Sequence, residues 1–157
     1  MIQKLFLACS ILFISGSCSN FTSEQFNTVP PLLISITANS DINGYSVTVR
    51  ANNPETFFVG YRLYIGNSDS EARNPADLNT GTDCLGGLAI IPNQPIEYTL
   101  DIDPDAAGSR GGVACTFATT VSSGQYISVR GLLLSIQPSQ TNNTVSISLP
   151  SNSLIIP

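Results

Sequence analysis

The sequence predicts an all-β fold, an antiparallel β-sandwich that follows an N-terminal leader. Three observations support this fold class. Apolar and polar residues alternate with a period of two in short stretches, which is the pattern of half-buried strands. Turn residues separate these stretches at intervals of about 8 to 15 residues. No window of eleven residues carries a convincing helical period, so we expect no long helix.

Residues 1–17 have the features of a signal peptide. Lys4 is the basic residue, and the apolar run that follows at residues 5–14 is too short to span a bilayer. Small residues then lead to Cys18, so we expect cleavage between Ser17 and Cys18.

This leader resembles the lipobox of bacterial lipoproteins, in the relaxed form found among spirochaetes. Ser15 stands where a large aliphatic residue is usual, three positions before Cys18. The resemblance implies that Cys18 is acylated and that the lipid anchors the protein in the cell envelope, at the outer membrane. The alternative is a secreted protein with a spare cysteine.

Behind the leader, residues 18–30 are polar and aperiodic, which predicts a flexible tether ahead of a folded domain at residues 31–157. The first part of this domain carries three predicted strands, at residues 32–38, 45–51 and 57–65. Between the first two strands, Asn43-Gly44 is a hairpin signal because both residues tolerate positive φ. Residues 67–83 are polar and lack a period, so they predict a long loop with one helical turn at most.

Five further strands are predicted in the second part. Their residue ranges are 85–91, 96–102, 113–121, 126–136 and 144–149. The strand at 96–102 alternates most clearly, with Leu100 and Ile102 inward and Asp101 outward on the solvated face. Ser123-Gly124 and Asn142-Asn143 are the turns before the last two strands. Residues 154–156 are predicted to be the tail of the last strand.

Two of these strands resemble those of an immunoglobulin-like domain of the fibronectin type III kind. Residues 61–65 (YRLYI) are similar to the central strand of one sheet. Residues 123–130 (SGQYISVR) are similar to the turn and the tyrosine-bearing strand of the opposite sheet. The resemblance covers residues 31–150 and implies an immunoglobulin-like β-sandwich, although this chain has no core Trp.

The composition excludes several classes of function. The chain has no His, and its single Lys is Lys4, so His-dependent nucleophiles, His zinc sites and Schiff-base lysines are excluded. The formal charge of -5 argues against nucleic acid as a partner. A carboxylate pair of the glycosidase type needs no His, but nothing in the sequence places two carboxylates across a cleft. We therefore expect no enzyme.

The cysteine count predicts one disulfide. Cys9 is lost with the leader and Cys18 is the predicted lipid site, which leaves Cys84 and Cys115. Two cysteines that remain in an exported chain are expected to pair. With no His in the chain, these two cannot complete a zinc site.

Two further segments are candidate sites. Asp101, Asp103 and Asp105 alternate at a strand end, where their oxygens are suited to Ca²⁺. They lack the later glycine and glutamate of an EF-hand, and the alternative is a solvated strand end whose charges discourage edge pairing. The long loop is a candidate contact surface for a partner, or else a tolerated insertion. Its charged residues are Asp69, Glu71, Arg73 and Asp77.

Together these features predict a lipid-anchored cell-envelope protein with a non-catalytic binding or adhesion module. We expect a protein partner from the envelope or from a host, contact with the membrane through the N-terminal lipid, and no cofactor other than Ca²⁺. The alternatives are a periplasmic structural or assembly lipoprotein of the envelope, or a secreted calcium-binding domain.

Overall fold

The computed structural model describes residues 30–51, 58–85, 96–135 and 144–157. The predicted signal peptide, Cys18 and the tether up to residue 29 lie outside the described residues. So do the turn predicted at Asn142-Asn143 and most of the strand predicted at 85–91.

Nine strands and one short helix form in these described ranges. In chain order they are β1 Leu32–Asn39, β2 Gly44–Ala51, β3 Phe58–Gly66, α1 Asp69–Arg73, β4 Thr82–Leu85, β5 Ile96–Ile102, β6 Cys115–Phe117, β7 Tyr126–Ser135, β8 Thr144–Ile147 and β9 Leu154–Ile155. The all-β prediction is confirmed, and β5 has the predicted bounds.

The strands form one continuous, curled sheet in the order β1-β2-β5-β6-β4-β3-β7-β8, with β9 beside β7. The curl is centred on β4, because its first two residues pair with β3 and its last two pair with β6. As a result, β5 and β3 face each other although they are not neighbours in the sheet. Their facing is visible in the hydrogen bond between the hydroxyl groups of Tyr61 on β3 and Tyr98 on β5.

The core lies between the two facing halves of the sheet. Alternate residues of four strands supply it: Val47 and Val49 of β2, Leu100 and Ile102 of β5, Tyr61 and Leu63 of β3, and Ile127 and Val129 of β7. Each of them is at most 1% exposed. Burying a side chain of this size contributes roughly 1.5–3 kcal/mol, so the period-two pattern is what selects these strands.

One strand pair contradicts the predicted purely antiparallel arrangement. β5 and β6 run parallel, with Leu100 opposite Cys115 and Ile102 opposite Phe117. Parallel neighbours need a crossover connection of about a dozen residues, and residues 103–114 provide one. β6 is also shorter than the strand predicted at 113–121, since it pairs over three residues only.

Residues 67–83 also differ from the predicted long loop. The hydroxyl oxygen of Ser68 accepts a hydrogen bond from the Glu71 amide at 3.2 Å, and the Glu71 carboxylate accepts one from the Asn67 amide at 2.8 Å. These reciprocal bonds start α1. Ala72 on α1 is fully buried, and α1 packs against β3 and β7. The segment ends in β4, so it is folded onto the sheet.

The predicted hairpin between β1 and β2 is confirmed, but its turn is longer than the Asn-Gly dipeptide. Asn39 pairs with Gly44, which leaves residues 40–43 as the turn. Gly44 is therefore a strand residue, and it does not have the positive φ that the dipeptide predicts. A Cβ atom at Gly44 would overlap the carbonyl oxygen of Ile102, so the glycine allows β2 to approach β5 closely.

The outer edge of β1 is covered at one point by a side chain. The Leu33 amide donates to the Asn152 side-chain oxygen at 2.8 Å, and the Asn152 side-chain nitrogen donates to the Leu33 carbonyl at 2.9 Å. The amide group of Asn152 thus pairs with the backbone as a neighbouring strand would.

Candidate functional site

A cleft of about 290 Å³ opens at one end of the sheet. The turn between β1 and β2, the end of β5 and the segment after β6 meet there. The carbonyl oxygen of Phe117 joins two of these parts, because it accepts hydrogen bonds from the amides of Asp103 and Thr119, both at 3.0 Å. Backbone hydrogen bonds therefore hold the end of β5 and the segment after β6 together at the cleft.

The cleft has apolar and polar lining residues but no charged ones. The apolar residues are Ala38, Ile102, Pro104 and Val121, and the polar ones are Asn43, Tyr45, Thr119 and Thr120. Ile102 is fully buried and also belongs to the core. The cleft therefore joins the core on one side and opens to solvent on the other.

Three hydroxyl groups at the cleft are available to a ligand. Among the described residues, none forms a hydrogen bond to the hydroxyl groups of Tyr45, Thr119 or Thr120. The side-chain nitrogen of Asn43 donates to the Asp105 carboxylate at 3.4 Å, which leaves the Asn43 side-chain oxygen facing no donor in the same part of the chain. A neutral molecule with hydroxyl groups matches this set of donors and acceptors.

The predicted pairing of Cys84 with Cys115 is found in the structure. Their Cα atoms lie 5.6 Å apart, and their sulfur atoms are joined. The bond connects neighbouring strands, since β4 pairs with β6 through Cys84 opposite Phe117. Because Cys115 is fully buried, the disulfide is part of the core and is not exposed as a reactive group.

The three aspartates of the predicted calcium site point to different partners. Asp101 is 1% exposed, and its carboxylate accepts hydrogen bonds from Arg110 at 3.1 Å and from Ser46 at 2.7 Å. The Asp103 carboxylate accepts from the backbone amide of Asp105 at 3.0 Å and so forms a turn. Within the ranges that the structure describes, no three His, Cys, Asp or Glu side chains are grouped to hold a metal ion. The calcium site stays a prediction, but Asp101 is buried and not solvated as expected.

The four charged residues predicted as a partner surface lie on one folded segment. Asp69, Glu71 and Arg73 are on α1, where the Asp69 carboxylate lies 3.8 Å from the Arg73 guanidinium. Asp77 follows in a turn, in which its carboxylate accepts from the backbone amide of Asn79 at 2.9 Å. The structure brings the first three together and separates the fourth. Their role in partner contact stays a prediction.

Sequence reasoning missed the buried guanidinium of Arg130 on β7. It is 7% exposed, donates to the carbonyl oxygens of Ser148 at 2.8 Å and Arg73 at 2.6 Å, and lies 5.7 Å from the centre of the Tyr64 ring. No carboxylate pairs with it in the described parts of the chain, and its Nε atom has no hydrogen-bond partner there. Burial lowers the pKa of Arg130 and raises that of Tyr64. Neighbouring Arg62 differs, because its hydrogen bonds to Asp83 raise its pKa.

The cleft residues were also missed. The sequence pattern places Asn43 and Tyr45 in the first hairpin, and Thr119 and Thr120 inside the strand predicted at 113–121. The available signal was the Thr-Thr pair next to Val121, but hydroxyl-rich strands occur throughout this chain and hide it.

Comparison with known proteins does not identify a family. No helix among the described residues has the length and apolar character that a membrane span requires. This chain matches no family model, no curated protein and no solved structure.

Proposed function

We propose that this chain is a lipid-anchored protein of the bacterial cell envelope, displayed at the outer membrane. Its domain is a non-catalytic, immunoglobulin-like binding module that contacts a partner from the envelope or from a host. The contact surface is the end of the domain that carries the cleft.

The strand order supports the immunoglobulin-like assignment. β1, β2 and β5 lie side by side, as strands A, B and E do in immunoglobulin-like sandwiches. β3, β7 and β8 lie side by side, as strands C, F and G do. β6 departs from that pattern, because it runs parallel to β5 and links it to β4.

The position of the cleft relative to the N-terminus carries the proposal. β1 begins at Leu32, directly behind the predicted tether, and ends at Asn39 beside the cleft. Eight strand residues span about 26 Å at the usual rise of roughly 3.3 Å per residue. An anchor at Cys18 would therefore attach through the end of β1 that lies opposite the cleft, which leaves the cleft open to a partner.

Processing of Cys18 tests the anchor. We expect the full chain, produced in a lipoprotein-processing bacterium, to partition into the membrane fraction with an acylated Cys18 at its mature N-terminus. Cys18→Ser should release the protein into the soluble fraction, because the buried acyl chains contribute about 0.8 kcal/mol per CH₂. Cys9→Ser is the matched control and should leave the partition unchanged, since it changes only the leader.

Mass spectrometry and protease treatment give the decisive results. A free Cys18 thiol at the mature N-terminus, or a Cys18→Ser variant that stays in the membrane, contradicts the anchor. Protease added to intact cells should degrade the domain. Protection of the domain in intact cells, with degradation after lysis, contradicts display at the surface.

A further inference from the structure

We infer that the cleft binds one residue of an uncharged saccharide. The inference rests on the proposed binding function and adds the chemical class of the ligand. It is carried by three properties of the cleft: the hydroxyl groups at its rim, the absence of charge, and its size.

The lining matches the two kinds of surface that a sugar ring presents. A pyranose ring carries hydroxyl groups at its edge and C–H groups on its faces. Tyr45, Thr119 and Thr120 offer hydroxyl groups that donate and accept, and Pro104 and Val121 offer apolar contact. Tyr45 adds an aromatic ring, which also gives apolar area to a ligand.

The lack of charge selects against ionic ligands. A charged group that enters the cleft loses hydration and gains no ion partner from its lining, which is costly. Asp105 lies just outside and is bonded to Asn43, so an anion is further disfavoured there. A neutral sugar has no charge to desolvate, and its hydroxyl groups can exchange hydrogen bonds with water for bonds to the lining.

The size limits the ligand to a single ring. At about 290 Å³ the cleft is at the small end of small-molecule sites, which span about 300–1,000 Å³. It is open to solvent on one side, so the bound ring can be free or can be the terminal residue of a longer glycan.

Titration with simple sugars tests the inference. Purified mature protein is titrated with glucose, galactose, mannose and N-acetylglucosamine, and binding is followed by NMR. We expect at least one of them to bind, and Thr119→Val, Thr120→Val and Tyr45→Phe each to weaken that binding about two- to tenfold, the loss for one neutral hydrogen bond. Thr37→Val on β1 is the matched control, since this exposed threonine does not line the cleft, and it should bind as the unchanged protein does. Thermal unfolding of each variant confirms that it is folded.

Three results would overturn the inference. One is that none of the four sugars binds at a concentration of about 10 mM, which is roughly ten times a dissociation constant of 1 mM. Another is that all three cleft variants bind like the unchanged protein. The third is that glucuronate binds more tightly than glucose. A disaccharide and a glycoprotein carrying the same terminal sugar then show whether the ring is recognised alone or on a larger partner.

The sugar experiment and the Cys18 experiment fail separately. If Cys18 is not acylated but a sugar binds, the lipid anchor is contradicted and the proposed ligand class stands. If Cys18 is acylated but no sugar binds, the ligand class is contradicted and the anchored binding module stands.

Discussion

Two connections between strands of the sheet are both polar and without a periodic pattern, but they differ in how they pack. The helical connection, residues 67–81 between β3 and β4, lies packed on the sheet. The open connection, residues 103–114 between β5 and β6, is exposed at residues 107–112. A Cβ atom at Gly66, beside α1, would lie 2.5 Å from the Ala72 amide nitrogen, whereas at Gly108 and Gly111 it would meet nothing within 4 Å.

An arginine fastens each connection, but in different ways. Arg110 reaches from the open connection to the buried Asp101 on β5 and also to Asp41, 3.3 Å away. Arg130 reaches outward from β7 to the Arg73 carbonyl on the helical connection, with no carboxylate partner among the described residues. The open connection is therefore fastened by the two ion pairs of Arg110, and the helical connection by burial and bonds to carbonyl groups. The two should respond differently to substitution.

Breaking the disulfide should have the largest effect, because it joins the strands that follow the two connections. Cys84 lies on β4 and Cys115 on β6, and they are 31 residues apart. The double variant Cys84→Ala/Cys115→Ala should lose roughly 3–4 kcal/mol of stability, from the restored freedom of the unfolded chain. Denaturant unfolding measures the loss. A loss below about 1 kcal/mol would show that the sheet holds both strands without the bond.

Removing Arg110 tests the ion pairs of the open connection. Arg110→Ala leaves the buried Asp101 without its cation and should cost about 2–3 kcal/mol, less than a pair with both partners buried, because the Arg110 side chain is 38% exposed. Arg50→Ala is the matched control, since Arg50 and Glu97 are both about half exposed, and it should cost less than about 1 kcal/mol.

Thermal or denaturant unfolding compares the two arginine variants. An equal cost for both would mean that Asp101 is hydrated once Arg110 is gone. In that case the open connection is not held by a buried charge.

Adding one methyl group at Gly66, which borders the helical connection, or at Gly108, within the open connection, should have the smallest effect and sharpen the contrast. Gly66→Ala pushes α1 away from β3 and should destabilise the domain by about 2 kcal/mol. Gly108→Ala has open space for its Cβ atom and should change stability by less than about 0.5 kcal/mol. If the two variants unfold at the same denaturant concentration, the packing of the helical connection contributes nothing measurable.

The sequence predicts those strands whose position follows from a local pattern of apolar and polar residues. Alternation placed β2, β3, β5 and β7 correctly because these strands bury alternate residues in the core. It also located β1, but that strand has one buried residue, Leu33, and leaves Ile34 42% exposed. β4 was not predicted, since Thr82 to Leu85 form a strand only by pairing with β3 and β6, which lie far away in sequence. The parallel direction of β6 likewise depends on how residues 103–114 cross the sheet.

The single helical turn allowed in residues 67–83 is α1, and its start could have been located, because Ser68 followed three residues later by Glu71 is a capping-box pattern. The disulfide followed from counting cysteines. The cleft could not be predicted, since Tyr45 and Thr119 are 74 positions apart and meet only after the sheet curls. Nor could the burial of Asp101, because its partner Arg110 lies on a connection without a periodic pattern.

The pairing of Asn152 with Leu33 affects how readily the protein aggregates at high concentration. An exposed edge strand is a template on which another chain can add its own strand, the first step of aggregation. At Leu33 both backbone groups are already occupied by the Asn152 amide, so an incoming strand cannot continue the ladder past that residue. A single side chain thus interrupts β1 as an aggregation template without adding a charge to the surface.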